Sequence, residues 1–364
     1  MRPGRFIGTT GPALNVEDFN ETSVPVTLST QFHVDTQFTT QDLALSLDMF
    51  SDRVLKPAVA AIANKIDRDG LVMAKNNTAN IVGTAGTPPT GLITYLTAAA
   101  YLDAEGAPRD GRRSCIVEPF TSATIVDSLK GLFVPQEAIG EQYRKGLMGR
   151  DSAGMNWKMD QNVVSQTFGS SSTAVLSCNT STATGFLTSG WASTSTIALS
   201  ATTAAGNLNV GDVIQIANVY AVNPQNRQAY GSNKLRNFVV TAAATVATSG
   251  TTSVTVSPAV ITAGQFQNVS VTSPGASTVT PFNNTGTVSP QNIIMHRNAF
   301  CLAVADLELP EGVHFAGRAS DKEIGLSMRV VRQYTINNDS IPTRLDVLYG
   351  WAPLYPELAC RVAA

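Results

Sequence analysis

Between Gln161 and Pro290 the chain runs for 130 residues with only four charged side chains: Asp212, Arg227, Lys234 and Arg236. The other 234 residues carry the remaining 48 charges, about one in five. A globular domain averages roughly 25% charged residues, so this stretch has to present Ser, Thr, Asn and backbone polar groups to solvent instead. From about Gly169 to Ser289 it contains β-branched runs at Val213–Ile216, Phe238–Thr241, Ser253–Ser257 and Val269–Thr272. Turn residues separate them, among them Asn209, Gly211, Asn223-Pro224, Gly250, Pro258, Pro274 and Gly275. Short strands punctuated in this way predict an all-β barrel or sandwich.

The flanks have ordinary composition. Residues 1–38 read as an extended hairpin whose second limb alternates through Val24, Val26, Leu28, Phe32, Val34 and Phe38. A long helix follows, capped by Thr39 or Thr40, with Leu43, Leu47, Phe50, Val54, Ala58, Ile62 and Ile66 along one face. Its length of about 30 residues corresponds to roughly 45 Å, and Pro57 is expected to bend it because its ring removes a hydrogen bond. Shorter helices are predicted over Thr90–Leu102, with Leu92, Ile93, Leu96 and Leu102 as its apolar residues, over Thr121–Leu132 and over Gln136–Leu147. Strands are predicted at Ser114–Glu118, through Ile293–Leu307, and at Leu326–Tyr334 and Leu345–Tyr349. The layout is an α/β part, a β insertion, and strands that close back onto the first part.

Several classes of function are disfavoured by these residues. A net charge of -2 argues against a histone-like coat for nucleic acid. No apolar run approaches a membrane span, and Met1–Gly11 lacks the apolar core of a secretory signal. Cys115, Cys178, Cys301 and Cys360 are far apart, as four free thiols would be, with no zinc-site or disulfide spacing. The histidines His33, His296 and His314 fall in three separate elements, and no catalytic or phosphate-binding motif is present. His33 is read as a surface or interface residue pointing away from Asp35. Asp67-Arg-Asp69-Gly70 begins like a calcium loop but lacks its closing Glu, and reads as a solvated helix end. No catalytic, cofactor or metal residue is assigned, and no cofactor is expected. What remains is a set of parts for assembly: an arm, a strut helix and an uncharged β module able to hydrogen-bond to copies of itself. A β-rich surface or tail adhesin is the alternative suggested by residues 169–289, and an intracellular hydrolase or lyase is a third.

The string HRNAFCLAVADLELPEGV (His296–Val313) and the string SMRVVRQYTINNDSIPTRLDVLYGWAPLYPELACRV (Ser327–Val362) closely resemble the C-terminal part of major capsid proteins of short-tailed Salmonella-type phages. The resemblance extends in collinear order to Ser23–Leu28, Leu43–Asp67, Gly106–Arg113 and Ala153–Val163. It is weaker at Gly211–Pro224, Leu235–Ala242 and Val254–Ile261. It implies an α+β chain with the Hong Kong ninety-seven capsid fold shared by tailed phages and herpesviruses. Residues 1–38 would be the E-loop over a neighbouring subunit, and residues 39–89 the spine helix and peripheral domain. Residues 90–168 would be mainly axial domain, 169–290 the inserted β-barrel domain, 291–316 a return through the axial domain, and 317–364 peripheral domain again.

The resemblance further implies a non-enzymatic coat subunit that assembles in the host bacterial cytoplasm and resides in the virion. Its hexamers and pentamers would form an icosahedral shell around double-stranded DNA, touched only by weak non-specific contacts. The implied partners are other copies of the chain, a scaffolding protein, a portal protein at one vertex and decoration proteins, with no membrane. Charged candidates for contacts between subunits are Arg2, Arg5, Glu17, Asp18, Glu21, Arg112, Arg113, Arg144, Lys145 and Arg150. The family has an arm ahead of the E-loop; Met1-Arg-Pro-Gly-Arg5 is expected to stand already within the loop, with the arm either shortened or outside this sequence. Some relatives weld their subunits through a Lys on the E-loop. Residues 1–40 contain no Lys, so a shell held without that weld is expected.

Overall fold

The structure, a computed structural model, describes residues 6, 8, 10–14, 16, 20–39, 41, 51–128, 153–171, 174–180, 185–231, 233–272, 275–321 and 325–364. Among the described residues strand outweighs helix, 43% to 18%, and the chain divides into two compact units. One comprises Pro25–Met73 and Cys301–Ala352, and the other Met1–Val24, Ala74–Phe300 and Pro353–Ala364.

The first unit is a helix on a sheet. Helix α1 (Lys56–Asn77) is preceded by a π-helical turn, Ser51–Leu55. The turn lies where Pro57 withholds its N–H, so a locally widened ladder absorbs the missing bond. The apolar period holds for Ala58, Ile62 and Ile66, all buried, whereas Leu43, Leu47 and Phe50 lie outside the described residues. The sheet runs β1 (Thr30–Thr39), β19 (Ser340–Pro353), β18 (Leu326–Arg332), β17 (Phe315–Asp321), with β16 (Phe300–Ala305) also paired to β19. The second limb predicted from Val24 becomes a strand only at Thr30, and its partner throughout is β19. Phe32, Val34, Leu345, Val347, Tyr349, Met328 and Val330 face Ala58, Ile62 and Ile66. The side chains alternate with period two, so one face is apolar and the other polar.

Asp67 and Asp69 are not at a helix end, because α1 continues to Asn77. Asp69 is inside the fold, accepting from the Tyr349 hydroxyl at 2.6 Å and pairing with Lys65 at 2.6 Å. Gly70 is there for space. A Cβ on it would stand 2.6 Å from the Trp351 ring, whose Nε1 donates to the Ile66 carbonyl at 3.0 Å.

On the opposite, polar face, Asp346 has no exposed surface. It takes a forked pair from Arg329 (3.0 and 2.5 Å), a bond from Gln31 Nε2 at 2.9 Å, and the Arg344 Nε at 3.3 Å. Burial pushes its carboxyl up, but the Arg329 and Gln31 bonds and the two guanidinium charges outweigh that and hold it below the usual range.

The second unit has two cores. A sheet of β2 (Ile81–Gly83), β20 (Ala359–Ala363), β15 (Val288–His296), β3 (Arg113–Val117) and β4 (Asn156–Met159), in that order, also pairs β5 (Ser165–Thr167) with β15. Helices α2 (Leu92–Ala104) and α3 (Pro119–Ser128) pack on it through Tyr95, Ala98, Ala99, Leu102 and Ile125. The helix predicted at Gln136–Leu147 lies outside the described residues. The uncharged segment forms β6 (Leu176–Asn179), β7 (Ser195–Ala201), β9 (Val213–Ala221), β10 (Leu235–Val240), β12 (Thr252–Ser257), β13 (Val269–Val271) and β14 (Ala276–Pro281). Their order is β10-β12-β7-β6-β14-β9-β13, and a β10–β9 pairing closes the first six into a barrel. A ribbon of β8 (Gly206–Leu208) and β11 (Ala244–Val246) completes the set. Ile197, Leu199, Ile214, Phe238, Val254, Val256 and Val279 fill the interior. Closure leaves no long free edge, so the barrel needs no edge charges to keep other strands away.

Two outcomes follow for the first unit. Gly70→Ala would gain about 1 kcal/mol from helix propensity alone, yet displacing the Trp351 ring should make the variant about 1–3 kcal/mol less stable, read by denaturant unfolding. Asp346 has a folded-state carboxyl below its unfolded value, so its contribution is present above the unfolded value and is lost as pH falls. Unfolding free energy should drop below about pH 5, and Asp346→Asn should flatten that drop while lowering stability at neutral pH.

Candidate assembly interface

All four charges of the barrel segment engage the chain around it. Two of them, Lys234 and Arg236, converge with the Tyr230 hydroxyl on one place, the C-terminal end of α2. A helix ends in unpaired carbonyls and a negative dipole, and this one places a carboxylate, Glu105, at its C-cap. Both groups call for donors and cations. Arg236, at the start of β10, supplies the cation: its Nη1 donates to Glu105 Oε1, and both side chains are buried, 5% and 8% exposed. Burial opposes the Arg236 charge most, and Glu105 more than restores it. The Tyr230 hydroxyl donates to the Ala104 carbonyl. Lys234 places its Nζ 3.4 Å from the centre of the Tyr101 ring, a cation–π contact.

The other two charges, Arg227 and Asp212, lie elsewhere. Arg227 Nη2 donates to the Phe6 carbonyl at 3.0 Å, while Asn20 Nδ2 reaches Gln265 Oε1 at 3.4 Å and Thr22 is buried. These contacts hold the described N-terminal residues against the barrel. The acid, Asp212, has no exposed side-chain surface and accepts from Gln166 Nε2 at 2.9 Å, Gly169 N at 2.9 Å and Asn209 N at 2.8 Å.

Of the charged candidates read from the sequence, Arg2, Arg5, Glu17, Asp18, Arg144, Lys145 and Arg150 lie outside the described residues. Glu21 is exposed. Arg112 and Arg113 separate. Arg112 is exposed beside Asp110 at 3.9 Å, whereas Arg113 is buried and donates to Asp103 Oδ1 at 2.7 Å and to the carbonyls of Pro108 and Ala107. Adjacent residues on a strand point to opposite faces, which is why the pair does not act together. The Arg109 bond, with Arg113 beside it, holds the Asp103 carboxyl below its ordinary value. His33 and Asp35 correct the sequence reading: two apart on β1, they share a face, with Nδ1 2.9 Å from Oδ2. His296 is buried against Asp110 at 3.2 Å. Among the described residues no three His, Cys, Asp or Glu side chains gather to hold a metal.

Charge counting missed the exposed apolar residues. Ile93 and Leu96 on α2 are 71% and 42% exposed, and Phe120 at the start of α3 is 78% exposed. Ile93 and Leu96 were among the apolar residues that marked this helix in the sequence, but Tyr95, Ala98 and Ala99 occupy its buried face. The signal was present in the sequence: small residues at positions 98 and 99 let the helix sit close to the sheet, which leaves the larger Ile and Leu on the outside. Isolated exposed apolar residues are common, but these three are large and lie on helices flanking one sheet.

Comparison with known proteins yields one family, described as P22 coat protein (gene protein 5), matching residues 5–361. No curated protein matches the chain. Similar solved structures include one of Mycobacterium phage Che8, at 10% identity and TM-score 0.41, covering 96% of this chain and 76% of that one. The capsid of Cyanophage P-SCSP1u is similar at 10% identity and TM-score 0.44, covering 99% and 82%. The mature capsid of bacteriophage PhiM1 is similar at 10% identity and TM-score 0.42, covering 99% and 80%.

Arg236→Met leaves Glu105 buried without this cation and should cost about 3–5 kcal/mol, whereas Arg236→Met combined with Glu105→Leu should recover most of the loss. Urea unfolding of the two variants against the parent chain measures both.

Proposed function

The chain belongs to the P22 coat protein family, and on that premise we infer that it is the major capsid protein of a tailed bacteriophage, a non-enzymatic subunit that associates with its own copies into the icosahedral shell of the virion. The observation that carries this is the family match from residue 5 to residue 361, which takes in the barrel and both flanks. An adhesin built on the barrel alone would not account for the flanks.

In this reading the unit of Pro25–Met73 and Cys301–Ala352 is the peripheral domain, with the E-loop entering it, and the six-stranded-sheet part of the other unit is the axial domain. The barrel is the inserted domain. Subunits form hexamers and pentamers around double-stranded DNA, after co-assembly with a scaffolding protein and a portal in the host bacterial cytoplasm. A near-neutral subunit suits a wall that encloses DNA without adhering to it. Contacts between subunits would draw on Glu17, Asp18 and Glu21 of the E-loop against basic side chains of a neighbour, Arg112 among them. Exposed Ile93, Leu96 and Phe120 supply apolar area, which provides affinity where charge pairs mainly set register and specificity.

Electron microscopy of the purified protein tests the reading: shells or capsomer rings are expected, and a protein that stays monomeric under all assembly conditions would overturn it. Ile93→Glu with Phe120→Glu should leave subunit stability within about 0.5 kcal/mol while sharply reducing the fraction that sediments as shells.

A further inference from the structure

Where the last turn of α1 meets the strand leading into the barrel, an amine, an amide and a carboxylate form a chain. Lys75 Nζ lies 2.5 Å from Gln166 Oε1. The Gln166 side chain is 1% exposed. Its orientation is set from the other side: Nε2 donates to Asp212 Oδ1 at 2.9 Å, the Val210 carbonyl at 3.1 Å and the Thr167 carbonyl at 3.2 Å. The amide therefore presents its carbonyl to the lysine and its NH2 to the buried carboxylate. Gly211, at φ +90°, makes room, since a Cβ there would stand 2.7 Å from Gln166 Oε1.

The surroundings favour an uncharged amine. Burial first, then the Arg361 guanidinium, lower the Lys75 ammonium to about 8, with Asp212 opposing. Arg361 has no exposed surface, and none of its three guanidinium nitrogens has a hydrogen-bond partner among the described residues; burial lowers it to about 10, with Asp212 opposing. Burial raises the Asp212 carboxyl, against the bonds from Asn209, Gly169 and Gln166. A lysine whose ammonium is lowered by burial and a nearby cation gives up its proton more readily to become a nucleophile, and a carboxyl with a raised proton affinity is suited to passing a proton.

We propose that Lys75 and Gln166 join through an isopeptide bond within one chain, with Asp212 moving the proton. The Nζ lone pair attacks Gln166 Cδ, a C–N bond forms, and the carbonyl π pair moves onto Oε1. Bonded to Cδ, Nζ stands beside Nε2, the nitrogen held by Asp212 Oδ1, and the proton it gives up passes through that oxygen to Nε2. The carbonyl re-forms, the Cδ–Nε2 bond breaks, and ammonia leaves. An amine and a primary amide become a secondary amide and ammonia, with no oxidant or co-reactant. Fixed proximity replaces the encounter that makes amide aminolysis slow in solution. The bond would tie α1 directly to β5 at the root of the barrel, and it needs only the isolated subunit, independent of any role in a shell.

Mass spectrometry of the denatured wild-type subunit tests it. The expected mass is lower than that of the sequence by one ammonia, and digestion should yield a branched peptide joining residues 75 and 166, with no tryptic cleavage after Lys75. The rate of formation in freshly folded protein should rise with pH through about 8, as the Lys75 ammonium beside Arg361 and Asp212 loses its proton. Lys75→Met should retain the full mass. Gln166→Glu should lose one water instead of one ammonia, and Asp212→Asn should form the bond far more slowly. Should Asp212→Asn fail to fold, the wild-type mass and branched peptide still decide. Full sequence mass with cleavage after Lys75, or a lighter mass without the branched peptide, overturns the proposal.

Discussion

A protein segment with almost no charge has few ways to be held in one orientation on its carrier. Hydrophobic contact is non-directional, and Ser and Thr hydrogen bonds are individually weak against water. Here the orientation depends on the end of one helix. The C-terminus of α2 presents unpaired carbonyls and the Glu105 carboxylate, and the barrel answers with Tyr230, Lys234 and Arg236 from a single stretch of seven residues. Because the pair is buried, geometry and desolvation make it demanding: the partners have to be in place together, or the remaining charge is stranded. That requirement turns a sliding contact into a fixed one. The scarcity of charge elsewhere in the barrel is the complement of this, since Lys234 and Arg236 are two of only four charges in the segment.

The helix-and-sheet unit solves a different problem by similar means. Its apolar face is an ordinary alternation packed against α1, and its polar face gathers Arg329, Arg344 and Gln31 around one covered carboxylate. Two details depend on close approach. Trp351 lies so near the helix that only glycine fits at position 70, and its indole N–H satisfies a helix carbonyl. A proline at the second position of α1 is absorbed by the π-helical turn before it. Both look like defects in a helix considered alone, and both become consistent once the packing is known.

Much of this was legible in one dimension. The α1 period through Ala58, Ile62 and Ile66, the strands at Val213, Phe238, Ser253 and Val269, and the antiparallel strands near the C-terminus arise from local pattern, and local pattern survives packing. The charge map also marked the segment whose strands form the barrel. Errors arose where a side chain's neighbour is remote in sequence. Gly70 read as a helix end because the Trp351 ring it accommodates is 281 residues away. Arg113 read as one of an exposed pair because its partner Asp103 lies around a turn. Ile93 and Leu96 marked a helix, but hydrophobicity alone does not say which face of it lies closer to the sheet. His33 and Asp35 were misplaced against the plain two-residue period of a strand, and the structure puts them side by side.

The sequence by itself determined the class of architecture, the β character of the uncharged segment, the buried stripe of α1 and, through resemblance, the capsid family. These are encoded in neighbouring residues, and neighbouring residues are all that a period or a motif requires. Only the tertiary structure decided that the barrel closes through the β9–β10 pairing and that its sparse charges turn toward the chain around it. It also brought Lys75, Gln166 and Asp212 together from positions far apart in the chain. The reason is physical: closure, ion-pair burial and the approach of an amine to an amide are set by distances in space, and no local spacing of residues records them.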